Sequence, residues 1–207
     1  MAQVSAHSPS PTTAPAPSFG AHFADPGPLG LAGFALTTFM LSSFNSGLAP
    51  KSAEVVVLSV ALFYGGIAQL FAGMWEFAKG NTFGALAFSS YGAFWMAFWY
   101  LIAHTDLSKA APTDAAKGVG VFLLAWTIFT LYMTVVASRV SGVLFLLFAV
   151  LLLTFAFLTI GEFGSSTSMT KIGGYLGLVT ALVAWYASFA GVLNGTAKKV
   201  ILPTWPR

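Results

Sequence analysis

Six long apolar runs, separated by short polar or Gly/Pro-containing segments, make up most of the chain. Each run can cross a bilayer, because about 20 apolar residues rising 1.5 Å each span a hydrocarbon core of about 30 Å. The pattern therefore predicts an all-α, polytopic membrane protein with six transmembrane helices. The predicted spans are residues 29–48, 53–77, 83–103, 118–138, 142–160 and 172–193.

The segments outside these runs set the domain organisation. Residues 1–24 are rich in Ser, Pro, Ala and Thr and lack the basic and apolar regions of a secretory signal, which is typical of a disordered tail. Residues 25–195 are predicted to form the transmembrane domain, and residues 196–207 a short polar C-terminal tail. The longest polar loop is predicted at 104–117. The connection after the fourth run is so short that the fourth and fifth helices are predicted to be antiparallel neighbours.

Composition narrows the chemistry further. Of the 207 residues, 57% are hydrophobic and 7% charged, against about 25% charged in an average soluble domain. The chain has no cysteine, and its three histidines lie in the tail or beside a loop, so we expect neither a metal site nor another cofactor. The basic residues are scattered, which argues against a nucleic-acid partner, and no catalytic motif is present, so the chain is not expected to be an enzyme.

Charge on the loops bears on orientation, since six spans place both termini on one side of the membrane. That side carries five Lys and Arg residues and the other side carries four. The counts are nearly balanced, but the cluster of Lys198, Lys199 and Arg207 favours cytoplasmic termini.

Neutral polar side chains recur within the first two spans. Phe34, Thr38, Leu41 and Asn45 share one helix face at i, i+4, i+7 and i+11. Such a face could line a pore, or its polar groups could bond to neighbouring helices. Gln69, near the middle of the second span, could donate to a passing carboxylate or join two helices.

The third span carries an aromatic face, whereas acidic residues avoid the middle of every span. Tyr91, Trp95 and Phe98 share that face, which could form packing or a gate. A charge at the centre of a span would cost about 2.5 to 3.5 kcal/mol on the insertion scale. The sequence therefore argues against a buried carboxylate relay.

One face of the sixth span consists of small residues. Small side chains let helix backbones approach closely in lipid. We therefore predict a helix-packing face, either within a subunit or between subunits. Its members are Gly173, Gly177, Ala181, Ala184, Ser188 and Gly191.

Three long stretches carry a resemblance to a known family. They are D-P-G-P-L-G-L-A-G-F-A-L-T-T-F at 25–39, F-Y-G-G-I-A-Q-L-F-A-G-M-W-E-F at 63–77 and G-N-T-F-G-A-L-A-F-S-S-Y-G-A-F-W at 80–95. The chain resembles the acetate uptake transporter family, also called succinate–acetate permeases. The likeness is close over the first half, and the second half resembles the family in its span lengths and in short pieces such as F-T-L at 129–131.

The resemblance implies a six-helix protomer with its own pore, assembled with copies of itself into a hexameric ring in the plasma membrane. It implies permeation of acetate and other short monocarboxylates, in some members also succinate. It also implies a narrow apolar constriction, whose members by motif or span would be Phe34, Tyr91 and Leu151.

Other residues complete the candidate path. The substrate-binding candidates are Thr38, Asn45, Gln69 and Trp95. Where the family pattern begins with Asn-Pro, this chain has Asp25-Pro26. Both Asn and Asp can cap a helix N-terminus, so we expect Asp25 and Pro26 to start the first helix at the pore mouth. An extra negative charge there would repel an anion.

Several functions fit these features. A constriction without a fixed cation leaves the desolvation of a carboxylate, several kcal/mol, uncompensated. The cargo could cross as the neutral acid, or as an anion solvated stepwise by hydroxyls, amides and helix N-termini. The prediction is therefore channel-like or proton-coupled carboxylate transport. The alternatives are a conduit for a neutral solute such as ammonia, and a non-transporting membrane scaffold or receptor.

Overall fold

The computed structural model describes residues 23–207, so the tail predicted for residues 1–24 lies almost entirely outside the described residues. Six helices in the described part are long and apolar enough to cross a membrane, and each overlaps one predicted span. The prediction of an all-α protein with six such helices is confirmed. The helices are α1 Gly27–Asn45, α2 Lys51–Lys79, α3 Thr82–His104, α4 Pro112–Ala137, α5 Gly142–Phe163 and α6 Thr167–Ala197.

The fourth helix corrects the sequence prediction. It begins at Pro112, about six residues before the predicted start, so the predicted loop at 104–117 shortens to residues 105–111. Proline at the first helical position and Asp114 in the first turn both favour a helix start here. These residues are exposed, so the helix extends beyond its apolar part. Hydropathy marks only the portion of a helix that lies in hydrocarbon.

The six helices form a closed ring. Each helix packs against the next along the chain, and α6 returns to pack along α1. The predicted antiparallel contact between α4 and α5 is present. In the most apolar stretch of α4, 17% of residues are buried, against 33% to 39% in the other helices, so α4 lies towards the outside of the ring.

A π-helical turn interrupts α2 at Phe63–Ala68, where α1 crosses it. A Cβ on Gly33 would lie 2.6 Å from the carbonyl oxygen of Tyr64, so only glycine allows the two backbones to approach this closely. The hydroxyl of Thr37 donates to the Gly33 carbonyl at 2.9 Å. A π turn accommodates one extra residue, and Gln69 is the first residue after it.

The small-residue face of α6 lies inside the protomer. A Cβ on Gly177 would clash with the side chain of Ser42 on α1, and Gly173 faces α5. The hydroxyl of Ser188 donates to the carbonyl of Pro28 at 2.7 Å. Of the two interpretations left open, the structure therefore places this face within the subunit. The buried members are Gly173, Gly177, Ala181, Ala184 and Ser188.

Substitution of Gly177 by leucine is expected to separate α6 from α1 and lower the midpoint of thermal unfolding by several degrees, because the added side chain has no room. Thermal melts of the detergent-purified protein would measure the shift. Gly195→Ala is the matched control, since it lies on the same helix with open space around its Cβ. Equal melting midpoints for the two variants would contradict the packing role.

The C-terminal segment, predicted as a short polar tail at 196–207, is attached to the helix ring. The side chain of Asn194 donates to the Leu202 carbonyl at 2.8 Å and accepts from the Leu202 amide at 3.0 Å. The amide of Gly142 donates to the Trp205 carbonyl at 2.8 Å. The last residues thus cover the turn between α4 and α5.

Candidate functional site

A cavity of about 200 Å³, here called the vestibule, lies inside the ring on the side of the membrane that carries the described chain ends. Its rim is formed by the ends of the helices and its floor by apolar side chains. Rim residues include Asp25, Glu76, Asn81, Val140 and Gly191, and floor residues include Phe34, Tyr91, Leu147 and Leu151.

Two further cavities lie beyond the floor of the vestibule. The chamber, about 30 Å³, is lined by Phe34, Thr38, Leu41, Ser42, Asn45, Phe94, Trp95, Leu151, Thr154, Phe155 and Leu158. That volume has room for roughly two water molecules. The basin, about 610 Å³, lies at the opposite ends of the helices and includes Asn45, Lys51, Glu162 and Lys171. The chamber shares Phe34 and Leu151 with the vestibule and Asn45 with the basin, so it lies between the two.

Phe34 and Leu151 line both the vestibule and the chamber, so they form the partition between the two cavities. The ring centroids of Phe34 and Tyr91 are 5.6 Å apart. All three side chains are buried. The structure thus brings together the residues assigned to the constriction from the resemblance.

The hydroxyl of Tyr91 is engaged in a hydrogen bond to a neighbouring helix, and Tyr91 lines the vestibule. The Tyr91 oxygen is 2.8 Å from the hydroxyl of Thr130, which also lies 2.7 Å from the carbonyl oxygen of Trp126. The Thr130 hydroxyl has a single proton, so both contacts are satisfied when Thr130 donates to Trp126 and Tyr91 donates to Thr130. The Tyr91 hydroxyl proton is therefore donated to Thr130 on α4 and is not free to bond to a molecule in the vestibule.

Two buried polar groups in the chamber lack a hydrogen-bond partner among the described residues. They are the hydroxyl of Thr38 and the indole N–H of Trp95. An indole N–H can only donate, and a buried donor without a partner costs about 1 to 3 kcal/mol. The chamber therefore offers two hydrogen-bonding groups, directly beside the apolar partition.

Asn45 and Gln69 line different cavities. Asn45 lines both the chamber and the basin, and its side-chain oxygen accepts from the Lys51 ammonium at 3.1 Å. Gln69 lines the vestibule, and its buried Oε1 has no partner within residues 23–207. The Gln69 acceptor and the chamber donors are thus on opposite sides of Phe34.

At the vestibule rim, Asp25 accepts a hydrogen bond from the Gly27 amide at 3.2 Å and so satisfies the first amide of α1. The Lys79 ammonium lies 3.6 Å from the Asp25 carboxylate. Pro26 is buried immediately before the helix. The negative charge expected at the pore mouth is therefore paired with a cation.

Glu76 is the residue at this site that sequence reasoning missed. It is 2% exposed and lines the vestibule, although its position near a helix end suggested contact with water. The i, i+7 spacing from Gln69, which puts both side chains on one face of α2, was the signal that could have found it.

The fold defines a multi-pass helical membrane protein with cavities inside its own helix ring. The family pattern described as GPR1/FUN34/yaaH matches residues 7–206, and the chain belongs to this family. The resemblance drawn from the three sequence stretches is confirmed.

Several relatives in this family are named as transport proteins. Ammonia transport outward protein 2 of Saccharomyces cerevisiae is 42% identical over 188 residues, covering 88% of this chain and 65% of that protein. Succinate-acetate/proton symporter SatP of Escherichia coli (strain K12) is 40% identical over 182 residues, covering 87% of this chain and 94% of that protein. The chain spans 65% to 70% of the length of three fungal relatives that it matches at 40% to 43% identity.

A solved structure, that of the bacterial acetate channel SatP, superposes on this chain with a TM-score of 0.80 and 37% sequence identity. The match covers 88% of this chain and 99% of that chain. At this identity and coverage, the helix ring described above is the architecture of the channel protein as well.

Proposed function

We propose that this protein transports acetate and related short carboxylates such as succinate through the vestibule, the chamber and the basin of each protomer. The observation that carries the proposal is the pair of partnerless polar groups, Thr38 and Trp95, in a small chamber beside an apolar partition. A carboxylate accepts hydrogen bonds and would satisfy both groups. The names of the bacterial relative and the superposed channel support the same cargo.

In this proposal, Phe34, Tyr91 and Leu151 form the constriction that limits the size of the cargo. Gln69 contacts the cargo on the vestibule side, and Thr38 and Trp95 contact it on the chamber side. Asn45 contacts the cargo as it passes between the chamber and the basin. The protein groups that make these contacts are uncharged, so no ion pair holds the cargo and the cargo can leave.

The protein acts in this proposal as a transporter in the plasma membrane, not as an enzyme, with both termini cytoplasmic. Copies of the chain assemble into a homohexamer in which each protomer keeps its own path, and the exposed apolar faces of the ring contact lipid or neighbouring copies. The small-residue face of α6 already packs against other helices of the same protomer. In this proposal, other helix faces therefore form the contacts between copies.

Uptake of radiolabelled acetate into proteoliposomes containing the purified protein is the direct test. We expect acetate uptake above that of empty liposomes, rising as the external pH falls. Ammonia flux measured by stopped-flow in the same vesicles, with and without acetate, tests the neutral-solute alternative. Ammonia flux with no acetate uptake at any pH would overturn the proposal, and neither flux would favour a scaffold or receptor.

A further inference from the structure

Glu76 places a carboxylate inside the vestibule, at the point where two helices begin. Its Oε2 accepts a hydrogen bond from the Asn81 side chain at 2.9 Å. A Cβ added to Gly27, the first residue of α1, would lie 3.5 Å from its Oε1, and one added to Gly84 would lie 2.8 Å from its Cδ. The distance at Gly27 is an ordinary van der Waals contact, whereas glycine at position 84 leaves room that the Glu76 side chain occupies.

The charges around Glu76 do not cancel. Among the described residues, the charged side chains that act on it are Asp25, on the flank of α1, and Lys79, on its own helix. Lys79 is paired with Asp25 at 3.6 Å. With Glu76 ionised, the vestibule rim has a net charge of about −1, and with Glu76 protonated it is about neutral.

An anion in the vestibule would meet that charge at short range. The vestibule volume of about 200 Å³ corresponds to a sphere about 7 Å across. Two like charges about 6 Å apart, at an effective dielectric constant of about 20, repel strongly enough to weaken binding by about a hundredfold.

We propose that Glu76 is a proton-binding site whose neutral form admits a carboxylate anion to the vestibule. A proton from water binds the Glu76 carboxylate, the anion then enters beside the neutral acid, and the proton leaves to water when the anion leaves. One proton therefore binds with each anion, and by reciprocity the anion promotes protonation of Glu76. This inference rests on the proposed transport of carboxylates and assigns its pH dependence to the protein.

The decisive variant is Glu76→Gln, which keeps the shape and an oxygen that can accept from Asn81 but cannot titrate. At a fixed total acetate concentration between pH 5.5 and 7.5, acetate is mostly ionised. Uptake by the wild type should fall by up to about tenfold per pH unit, as expected for one proton. Uptake by Glu76→Gln should change less than about twofold over the whole range, and Glu76→Asp should restore the fall.

Asp114→Asn is the matched control, because Asp114 is an exposed carboxylate at the start of α4, paired with Lys117 at 3.8 Å. It should keep the wild-type pH profile. A Glu76→Gln profile as steep as that of the wild type would overturn the proposal, because the cargo would then carry the proton itself. Acetate uptake would still be present in that case, so the proposed transport function would stand.

A second measurement needs no variant. Infrared difference spectra of the wild-type protein, with and without acetate, should show a new protonated carboxyl band. When the acetate is labelled with carbon-13, a band from Glu76 keeps its frequency, which is the expected result. A band that shifts with the label belongs to acetic acid and would overturn the proposal, as would the absence of any protonated carboxyl band.

Discussion

Phe34→Ala is expected to open the partition between the vestibule and the chamber, and to admit carboxylates that the wild type excludes. Phe34 lines both cavities, so its ring is part of the wall between them. We expect uptake of a bulky carboxylate such as benzoate to rise at least about tenfold relative to acetate, since removal of the ring relieves a steric barrier. Competition assays with labelled acetate and labelled benzoate in proteoliposomes would measure the ratio.

The matched control for this result is Phe39→Ala. Phe39 lies on the same helix but is 40% exposed on the outer side, where it packs against Trp185. It should leave the ratio of benzoate to acetate uptake unchanged. If Phe34→Ala and Phe39→Ala give the same ratio as the wild type, Phe34 does not form the size limit and the path lies elsewhere.

Removal of the chamber donors should have the second large effect. Trp95→Phe and Thr38→Val keep most of the side-chain volume and delete the partnerless groups. A hydrogen bond to a charged group contributes about 1.5 to 3 kcal/mol, so each variant should lower acetate uptake by about tenfold or more. Initial rates over a range of acetate concentrations would show whether the loss is in binding or in passage.

Ser89→Ala is the control that distinguishes the loss of a cargo contact from a general loss of stability on removal of a buried polar group. The hydroxyl of Ser89 is also buried without a partner among the described residues, but it lies against Gly73 of α2 and lines none of the three cavities. Ser89→Ala should therefore retain wild-type uptake. Equal losses in Ser89→Ala and Trp95→Phe would show that the donors act through stability and not through contact with the cargo.

The sequence predicted the spans well because lipid imposes one requirement, apolar length, on every helix. It was less accurate where a helix leaves the hydrocarbon, as at Pro112, because caps and first-turn charges then decide the boundary. The face of Phe34, Thr38 and Asn45 was visible as a period in one helix. That this face lines a cavity and does not serve for packing alone depends on α5, which supplies Leu151 to the same cavity.

Other features of the site depend on contacts between distant segments. Whether the hydroxyl of Tyr91 is free depends on Thr130, 39 residues away on another helix. The burial of Glu76 depends on the room that Gly84 leaves near the start of α3, which hydropathy does not weigh. These are properties of pairs of helices, and a pattern within a single helix does not contain them.

The π turn in α2 makes the orientation of the vestibule-lining residues on α2 depend on the number of residues in that turn, as well as on which residues they are. Because the turn holds one extra residue, everything that follows it, Gln69 and Glu76 included, is set at an angle that a regular helix would not give. Loss of a single residue between Phe63 and Ala68 would rotate both side chains together. Over evolutionary time, one insertion or deletion here could change the polarity of the path more abruptly than many substitutions along its walls.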